Sequence, residues 1–192
     1  DFEILLAARH ESDAAVPVVR TLQAEFAAVP PRLILTGDPP YANAKVFALD
    51  HMMRAARHER LVMSDSDIRV APGFLSEATA EFADPKLGLA TCPYRAVAGE
   101  SIWSRLEAVG MNTEFWGGVL VARMLEGVHF TVGPTVIGRK AAITAAGGWD
   151  RVREYRAEDF VLGKFASEAG WRVILSSSMV EHRIGSEPFI KN

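Results

Sequence analysis

The sequence has a single cysteine, no excess of basic residues and no apolar run of membrane-spanning length. With Cys92 alone, this chain can form neither a disulfide framework nor a cysteine zinc cluster, which fits a reducing compartment. The net charge of −3 gives no electrostatic reason to bind nucleic acid. The longest apolar stretch, 115–125, is interrupted by Arg123, whereas a spanning helix needs about 20 apolar residues. These absences favour an ordinary globular protein.

The length of 192 residues and the apolar content of 49% suit a single domain, 1–192, with a substantial core. Apolar runs alternate with amphipathic segments, which predicts an α/β fold with a mostly parallel sheet and helices on both faces. The alternation of strand and helix patterns becomes less regular near residue 95, so the domain divides into the halves 1–95 and 96–192. Strands are predicted at 2–8, 32–36, 61–63, 87–92, 130–137 and 171–175, with a short extended piece at 179–183. Helices are predicted at about 17–29, 43–58, 72–82, 101–111, 140–146 and 157–170.

Two carboxylates follow one of these strands. The apolar run 61–63 predicts a buried strand, and Asp65 and Asp67 come directly after it. On an extended backbone these two side chains point to the same side. Carboxylates at the carboxyl end of a strand lie where open α/β sheets bind ligands, and such a pair suits a divalent metal that holds a diphosphate. The pattern alone leaves open a solvated acidic turn.

Several short motifs along nearly the whole chain carry a resemblance to one known family. They are Phe2-Glu-Ile-Leu-Leu with Asp13, Asn43-Ala-Lys45, Asp65-Ser-Asp67-Ile-Arg-Val, Cys92-Pro-Tyr94, Gly147-Gly148 and Ala157-Glu158-Asp159. On these motifs the chain resembles the inverting nucleotide-sugar glycosyltransferases of the GT-A fold, broadly family 2. More closely it resembles family 21, the ceramide glucosyltransferases and bacterial relatives that glycosylate lipids such as hopanoids.

The resemblance implies roles for four residues around a nucleotide-sugar. Asp13 matches an aspartate that contacts uridine, and Lys45 matches a lysine near the nucleotide. Asp65 and Asp67 match the pair that binds the ribose-diphosphate and a metal, Mg²⁺ or Mn²⁺. Without the resemblance, the alternative for Asp13 is a cap of the following helix, and the alternative for Lys45 is a solvated lysine.

Two further residues are assigned in the same way. Asp159 matches the proposed general base, which takes the proton of the acceptor hydroxyl; the alternative is an ordinary acidic residue at a helix start. His182 is a candidate third metal ligand, because some GT-A enzymes use a late histidine for this purpose. The alternative for His182 is an ordinary surface histidine.

The function implied by the resemblance is metal-dependent, inverting transfer of a hexose from a UDP-sugar, with UDP-glucose favoured, to a lipid hydroxyl. Ceramide or a hopanoid would be the acceptor. We expect a membrane-anchored parent protein acting at the cytoplasmic face of a membrane, with this fragment soluble. The alternatives are a processive polysaccharide synthase and a UDP-sugar-binding module without turnover.

Two parts of the family pattern are not found in the sequence. A first strand ending in a Lys-Pro-Leu-type segment is expected before Asp1, between the strands 2–8 and 61–63 in space. A Gln/Arg-x-x-Arg-Trp motif is expected after the last strand. We therefore expect the chain to be trimmed at both ends, to leave a gap in its sheet, and to bind poorly without turnover.

The aromatic, glycine-containing stretch 115–125 permits two interpretations. Its apolar residues and Arg123 could form an amphipathic face at a membrane boundary that guides a lipid acceptor inward. The other interpretation, a core helix, is slightly favoured because apolar stripes usually face a core.

Overall fold

The computed structural model describes residues 1–186, which alternate between strands and helices as the sequence predicts. The strands are β1 (Leu5–Ala8), β2 (Arg32–Leu35), β3 (Arg60–Ser64), β4 (Ile68–Arg69), β5 (Leu87–Thr91), β6 (Tyr94–Val97), β7 (Thr135–Arg139), β8 (Arg172–Leu175) and β9 (Val180–Arg183). The helices are α1 (Ala15–Glu25), α2 (Ala44–Ala55), α3 (Phe74–Ala80), α4 (Ile102–Gly110), α5 (Trp116–Glu126), α6 (Lys140–Ala145), α7 (Gly148–Val152) and α8 (Glu158–Glu168). A 3-10 turn spans Glu81–Ala83, and a π-helical turn, Met111–Phe115, joins α4 to α5.

The strands form three sheets with mixed pairing, so the prediction of a mostly parallel sheet is wrong in this respect. The orders are β1-β2, β3-β7-β5-β8 and β4-β9-β6. β7 runs antiparallel to both of its neighbours, and β4 runs antiparallel to β9. β4 and β6 were not predicted, because a two-residue strand and a strand beginning just after Pro93 give almost no periodic signal.

The strand before the two carboxylates is an edge strand and not a buried one. β3 pairs only with β7 within residues 1–186, and its residues alternate between partly buried and exposed. Val62 is 36% exposed. The prediction of burial failed because a strand that lacks a neighbour on one side keeps that side open. Among the described residues β3 and β1 do not pair with each other, so the predicted gap is not closed by direct pairing.

Two hydrophobic clusters lie on opposite faces of the four-stranded sheet, which confirms helices on both faces. Leu89 and Val136 face one cluster, and the adjacent Ala90 and Ile137 face the other, as strand alternation requires. The first cluster includes Val46, Ile143, Trp149 and Leu162 from α2, α6, α7 and α8. The second includes Phe74, Ala78, Phe82, Cys92 and Val180.

Glu3 fastens the beginning of β1 to two other parts of the chain. Its carboxylate accepts the amide hydrogen of Arg57 (2.6 Å) and forms ion pairs with Arg32 (2.8 Å) and with the Arg57 side chain (3.0 Å). The amide hydrogen of Arg57 and, against the opposing effect of burial, the two guanidinium groups lower the pKa of Glu3 from 4.5 to about 2. Glu3 therefore joins β1 to β2 and to the segment that precedes β3.

The stretch 115–125 is not a core helix, and the slightly favoured interpretation is wrong. α5 has no buried residue, and Met124 is 77% exposed. None of the helices in residues 1–186 has the length and apolar character that crossing a bilayer requires.

Candidate active site

Four polar side chains meet where α2 and α8 begin and β3 ends. Lys45 lies in the first turn of α2, Asp65 follows β3, and Glu158 and Asp159 open α8. The Lys45 Nζ atom is 2.8 Å from Asp65 Oδ1 and 3.5 Å from Glu158 Oε1. The structure thus brings together three residues that the sequence singled out, Lys45, Asp65 and Asp159, and adds Glu158.

Glu158 is the buried member of this group, and its role was not predicted. Its other carboxylate oxygen, Oε2, accepts a hydrogen bond from Asn43 Nδ2 at 3.3 Å. Asn43 Nδ2 also donates to the carbonyl of Tyr155 (2.9 Å), while Asn43 Oδ1 accepts the Val46 amide hydrogen and caps α2 (3.1 Å). A buried carboxylate needs such partners, because unpaired burial of charge is costly. Asn43 therefore links the N-termini of α2 and α8.

The charge of Lys45 is stabilised by the carboxylates around it. Burial acts to lower the pKa of this amine, but the hydrogen bond to Asp65 and the negative charges of Asp65, Glu158 and Asp159 outweigh burial and raise the pKa above 10.5. Lys45 is therefore a permanent cation at the end of β3. This contact replaces the alternative of a freely solvated lysine.

The irregular segment 131–134 holds both Asp65 and Asp159. The Asp65 amide donates to the Pro134 carbonyl (2.9 Å), and the Asp159 carboxylate accepts the amide hydrogen of Gly133 through Oδ2. The hydroxyl of Thr131 donates to the Asp159 carbonyl oxygen. These contacts were not predicted, because a strand was expected across 130–137, whereas β7 begins only at Thr135.

Asp67 lies beside His182 and not beside Lys45. Asp65 and Asp67 lie in the turn that follows β3, so the premise of an extended backbone between them is wrong. Pairing of β4 with β9 sets His182 opposite Ile68, and His182 Nε2 is 3.1 Å from Asp67 Oδ2. His182 Nδ1 is buried without a hydrogen-bond partner among residues 1–186, which is unmet capacity that a ligand or water can satisfy.

An aromatic cluster formed by Tyr94, Phe115 and Trp116 adjoins this pair. The Tyr94 ring centroid is 5.6 Å from that of His182, 5.7 Å from Phe115 and 5.1 Å from Trp116. Burial raises the pKa of the Tyr94 phenol, and the negative charge of Asp159 raises it further.

Asp13 remains apart from this group. Its side chain accepts the amide hydrogen of Ala15 at 2.9 Å, the local contact expected of an aspartate at a helix start. Within the described part of the chain, no hydrogen bond or ion pair joins its side chain to Lys45 or Asp65. Its contact with uridine stays a prediction.

The carboxylates fit a metal site that a ligand completes. No three His, Cys, Asp or Glu side chains within residues 1–186 are grouped to hold a metal ion by themselves. Mg²⁺ and related ions commonly use one or two carboxylates together with substrate phosphates and water. Asp65 and Asp67 are 39% and 48% exposed, so both remain open to a ligand. The donor set therefore suits a metal–diphosphate unit and not a closed structural site.

Comparison with known proteins assigns the family of this chain. The sequence model described as Glycosyl transferase family 21 matches residues 1–191. The chain belongs to this family. Ceramide glucosyltransferase 1 of Caenorhabditis elegans is 29% identical to this chain over 178 residues. That match covers 92% of this chain and 38% of the relative, so the chain spans well under half of the relative's length.

Solved structures with the same fold confirm the GT-A prediction for this family 21 chain. S. aureus TarS, solved with UDP-GlcNAc, matches with a TM-score of 0.64 and 14% identity, covering 97% of this chain and 51% of that one. GalNAc-T7, solved with UDP, GalNAc and Mn²⁺, matches with a TM-score of 0.63 and 12% identity, covering 98% and 39%. Identities this low establish the fold alone.

Proposed function

We propose that this family 21 chain binds a UDP-sugar and transfers the sugar, with inversion, to a lipid hydroxyl. The observation that carries the proposal is the joining of Lys45, Asp65 and Asp159 around one short segment in a GT-A fold. UDP-glucose as donor and a ceramide-like acceptor are supported by similarity to a ceramide glucosyltransferase. A cytoplasmic membrane face and a hopanoid acceptor belong to the same proposal.

The donor would bind along Lys45, Asp65 and Asp67. The Lys45 ammonium contacts Asp65. A diphosphate bound beside Asp65 would gain a charge-assisted contact from the same ammonium group. Asp65 and Asp67 would hold Mg²⁺ or Mn²⁺, and His182, whose Nε2 atom is beside Asp67, would be the further ligand. When bound, such a metal offsets the negative charge that develops on the leaving diphosphate. Asp13 would contact the uridine.

Asp159 would act as the general base. Gly133 donates to its Oδ2 atom, which fixes the carboxylate while no hydrogen bond engages Oδ1 within residues 1–186. In the proposed step Oδ1 takes the proton of the acceptor hydroxyl as that oxygen forms a bond to the anomeric carbon. The bond from the anomeric carbon to the UDP oxygen breaks, and UDP leaves with the electron pair. Attack from the face opposite UDP gives inversion.

Substitution of the acidic pair tests the donor site. We expect Asp65→Asn and Asp67→Asn each to weaken UDP binding in Mn²⁺ about 10-fold or more, since even indirect changes around a metal have effects of this size. In EDTA, wild type and variants should bind UDP alike, because the metal bridge is absent. Asp150→Asn is the control, as its side chain is 80% exposed and pairs only with nearby Arg153 among the described residues.

The measurement is calorimetric titration of UDP into each protein, with circular dichroism to confirm folding. Equal affinities of wild type, both variants and the control in Mn²⁺ would show that neither carboxylate takes part in donor binding. A parallel thermal-shift series with several UDP-sugars identifies the donor, because a ligand at 100 times its Kd stabilises the fold by about 2.7 kcal/mol.

A further inference from the structure

Glu158 is a buried carboxylate to which the proposed mechanism gives no task. It is 8% exposed and is the only charged residue among the buried ones of the range 1–186. A buried ion pair often stabilises a fold no more than apolar side chains of the same size would. A carboxylate at this position, directly before the proposed base Asp159, is therefore better explained by function than by packing.

The two oxygens of Glu158 contact different parts of the chain. Oε2 accepts a hydrogen bond from Asn43, the cap of α2, and Oε1 lies 3.5 Å from the ammonium nitrogen of Lys45. Asn43 also donates to the carbonyl of Tyr155, which precedes α8. The Glu158 carboxylate is thus fixed between the two helices, and its Oε1 atom faces Lys45 from a fixed position.

Lys45 has two anionic partners that differ in their exposure to water. The Glu158 side chain is 11% exposed, whereas the Asp65 side chain is 39% exposed. Water and salt screen an ion pair between exposed groups, so such a pair is weak and readily exchanged, while a buried partner is screened much less. The shorter contact, 2.8 Å to Asp65, is therefore the exchangeable one, and Glu158 is the lasting partner.

A metal–diphosphate in the proposed donor site would compete with Lys45 for Asp65. One carboxylate oxygen cannot contact both an ammonium group at 2.8 Å and a divalent cation without bringing together two positive charges, which repel each other. The Lys45 side chain is 41% exposed, so it has room to turn from Asp65 towards a diphosphate. The attraction of Glu158 keeps the ammonium group from swinging away into water.

We propose that Glu158 is a positioning residue that keeps Lys45 at the donor site while Lys45 exchanges its other partner. Without the donor, the ammonium group bridges Glu158 and Asp65. With the donor bound, Asp65 binds the metal, and Lys45 contacts a diphosphate oxygen while it stays paired with Glu158. Asp65 therefore has a cation beside it in both states. The inference rests on the proposed function, because it requires a diphosphate beside Asp65.

A double-mutant cycle between Lys45 and Glu158 tests the positioning role. Glu158→Gln removes the charge and keeps an oxygen that can accept from Asn43, while Lys45→Met removes the ammonium group and keeps most of the aliphatic chain. Calorimetric titration of UDP in Mn²⁺ compares wild type, both single variants and the double variant. The control is Glu168→Gln at the end of the same helix, where the side chain is 51% exposed and 3.9 Å from Arg151.

The two single variants should weaken UDP binding, and their effects should not add. We expect a loss of about 10-fold or more for Lys45→Met, the usual effect of removing a hydrogen bond to a charged group. Glu158→Gln should weaken binding about fivefold in the wild-type background, a coupling common within one charge network. In the Lys45→Met background it should not weaken binding, since an unpaired carboxylate near a diphosphate only repels it. Glu168→Gln should bind UDP as wild type does.

Binding of Mn²⁺ without UDP tests the exchange at Asp65. Lys45→Met should bind Mn²⁺ about fivefold more tightly than wild type, because it frees a carboxylate from an exposed ion pair. Tighter Mn²⁺ binding together with weaker UDP binding is a combination that general loss of structure does not produce. Paramagnetic resonance of free Mn²⁺ measures this affinity, and circular dichroism confirms folding. Should Lys45→Met not fold, Lys45→Gln replaces it, since an amide can still donate to Glu158.

Three results would overturn the inference. These are equal weakening of UDP binding by Glu158→Gln in both backgrounds, UDP binding by Glu158→Gln as tight as by the control, and a Mn²⁺ affinity that Lys45→Met leaves unchanged or lowers. The first would give Glu158 a structural role through Asn43 alone. In all three, wild type still binds UDP in Mn²⁺ and the proposed function stands. A folded wild type that binds no UDP in Mn²⁺ would instead overturn the proposed function, and this inference with it.

Discussion

The packing of α8 against the segment before β7 makes a sharp prediction at Gly163. A Cβ atom added at this position would lie 2.5 Å from the carbonyl carbon of Phe130 and closer still to the amide nitrogen of Thr131. Both are backbone atoms, so no side-chain rotation can relieve the overlap. The helix must move, and Asp159, one turn earlier on the same helix, must move with it.

The expected size of the effect follows from two opposing contributions. Replacing glycine by alanine inside a helix stabilises a protein by about 0.5–1 kcal/mol, whereas overpacking typically costs about 1–3 kcal/mol or more. The clash at Gly163 is with backbone, so the cost should lie at or above the upper end of that range. The difference is a net loss, so we expect Gly163→Ala to lower the free energy of unfolding by about 2 kcal/mol or more. For a chain of this size the Tm falls by about 2–4 °C per kcal/mol.

Gly118→Ala is the matched control, because it lies in α5 with nothing within 4 Å of the added atom. It should raise the Tm slightly through helix propensity. Thermal unfolding followed by circular dichroism compares the two variants with wild type. If Gly163→Ala is as stable as Gly118→Ala, α8 does not pack on residues 130–131 as described, and the placement of Asp159 fails with it.

Two other substitutions test the base and the β1 anchor. Asp159→Asn should change UDP affinity in Mn²⁺ by less than about twofold, yet lower UDP release with a lipid acceptor, measured in a longer protein that contains this chain, by about 10²–10⁴-fold; a loss of UDP affinity would instead place Asp159 at the nucleotide. Glu3→Gln should destabilise the fold at neutral pH. Because the folded pKa of Glu3 is depressed to about 2, its contribution is complete above pH 4.5 and is lost as the pH falls towards 2. Urea midpoints of Glu3→Gln and wild type should therefore differ at pH 7 and converge as the pH approaches 2, and a constant difference would contradict this.

Local signals in the sequence were sufficient for the element starts that position the site. A helix was predicted to begin at Asn43, and the Asn43 side chain accepts the Val46 amide hydrogen at the start of α2. Glu158 and Asp159 were predicted to open α8, and they do. A cap depends on residues within a few positions of each other, so a single sequence contains the information it needs.

The contacts that unite the site could not be predicted in the same way. Thr131, Gly133 and Pro134 have irregular backbone and bind residues far away in the chain. The neighbourhood of Asp67 and His182 depends on the two-residue strand β4, whose pairing with β9 leaves no periodic trace. These are tertiary interactions, and neither propensity nor spacing specifies them.

The exposure of the helical run 102–126, made of α4, the π-helical turn and α5, could not be predicted from periodicity. An apolar stripe on a helix is compatible with a core, a partner or a lipid surface, because periodicity reports only that one side avoids water. What distinguishes them is the inner side, where Ser104, Ala108 and Asn112 attach the run to the protein. For the stretch 115–125 the apolar pattern favoured a core, yet no residue of α5 is buried.

The segment 131–134 anchors both Asp65 and Asp159, and this shared anchor matters for the proposed displacement reaction. Asp65 is anchored through its amide to Pro134, and Asp159 through its carboxylate to the adjacent Gly133. A direct displacement requires the leaving diphosphate and the attacking hydroxyl to be held in a fixed relation on opposite faces of one carbon. Anchoring the Asp65 backbone and the Asp159 carboxylate to neighbouring peptide groups helps to fix that relation. Motion of β3 or α8 alone would break one of these hydrogen bonds, so the donor end and the acceptor end of the proposed site keep their separation as a unit.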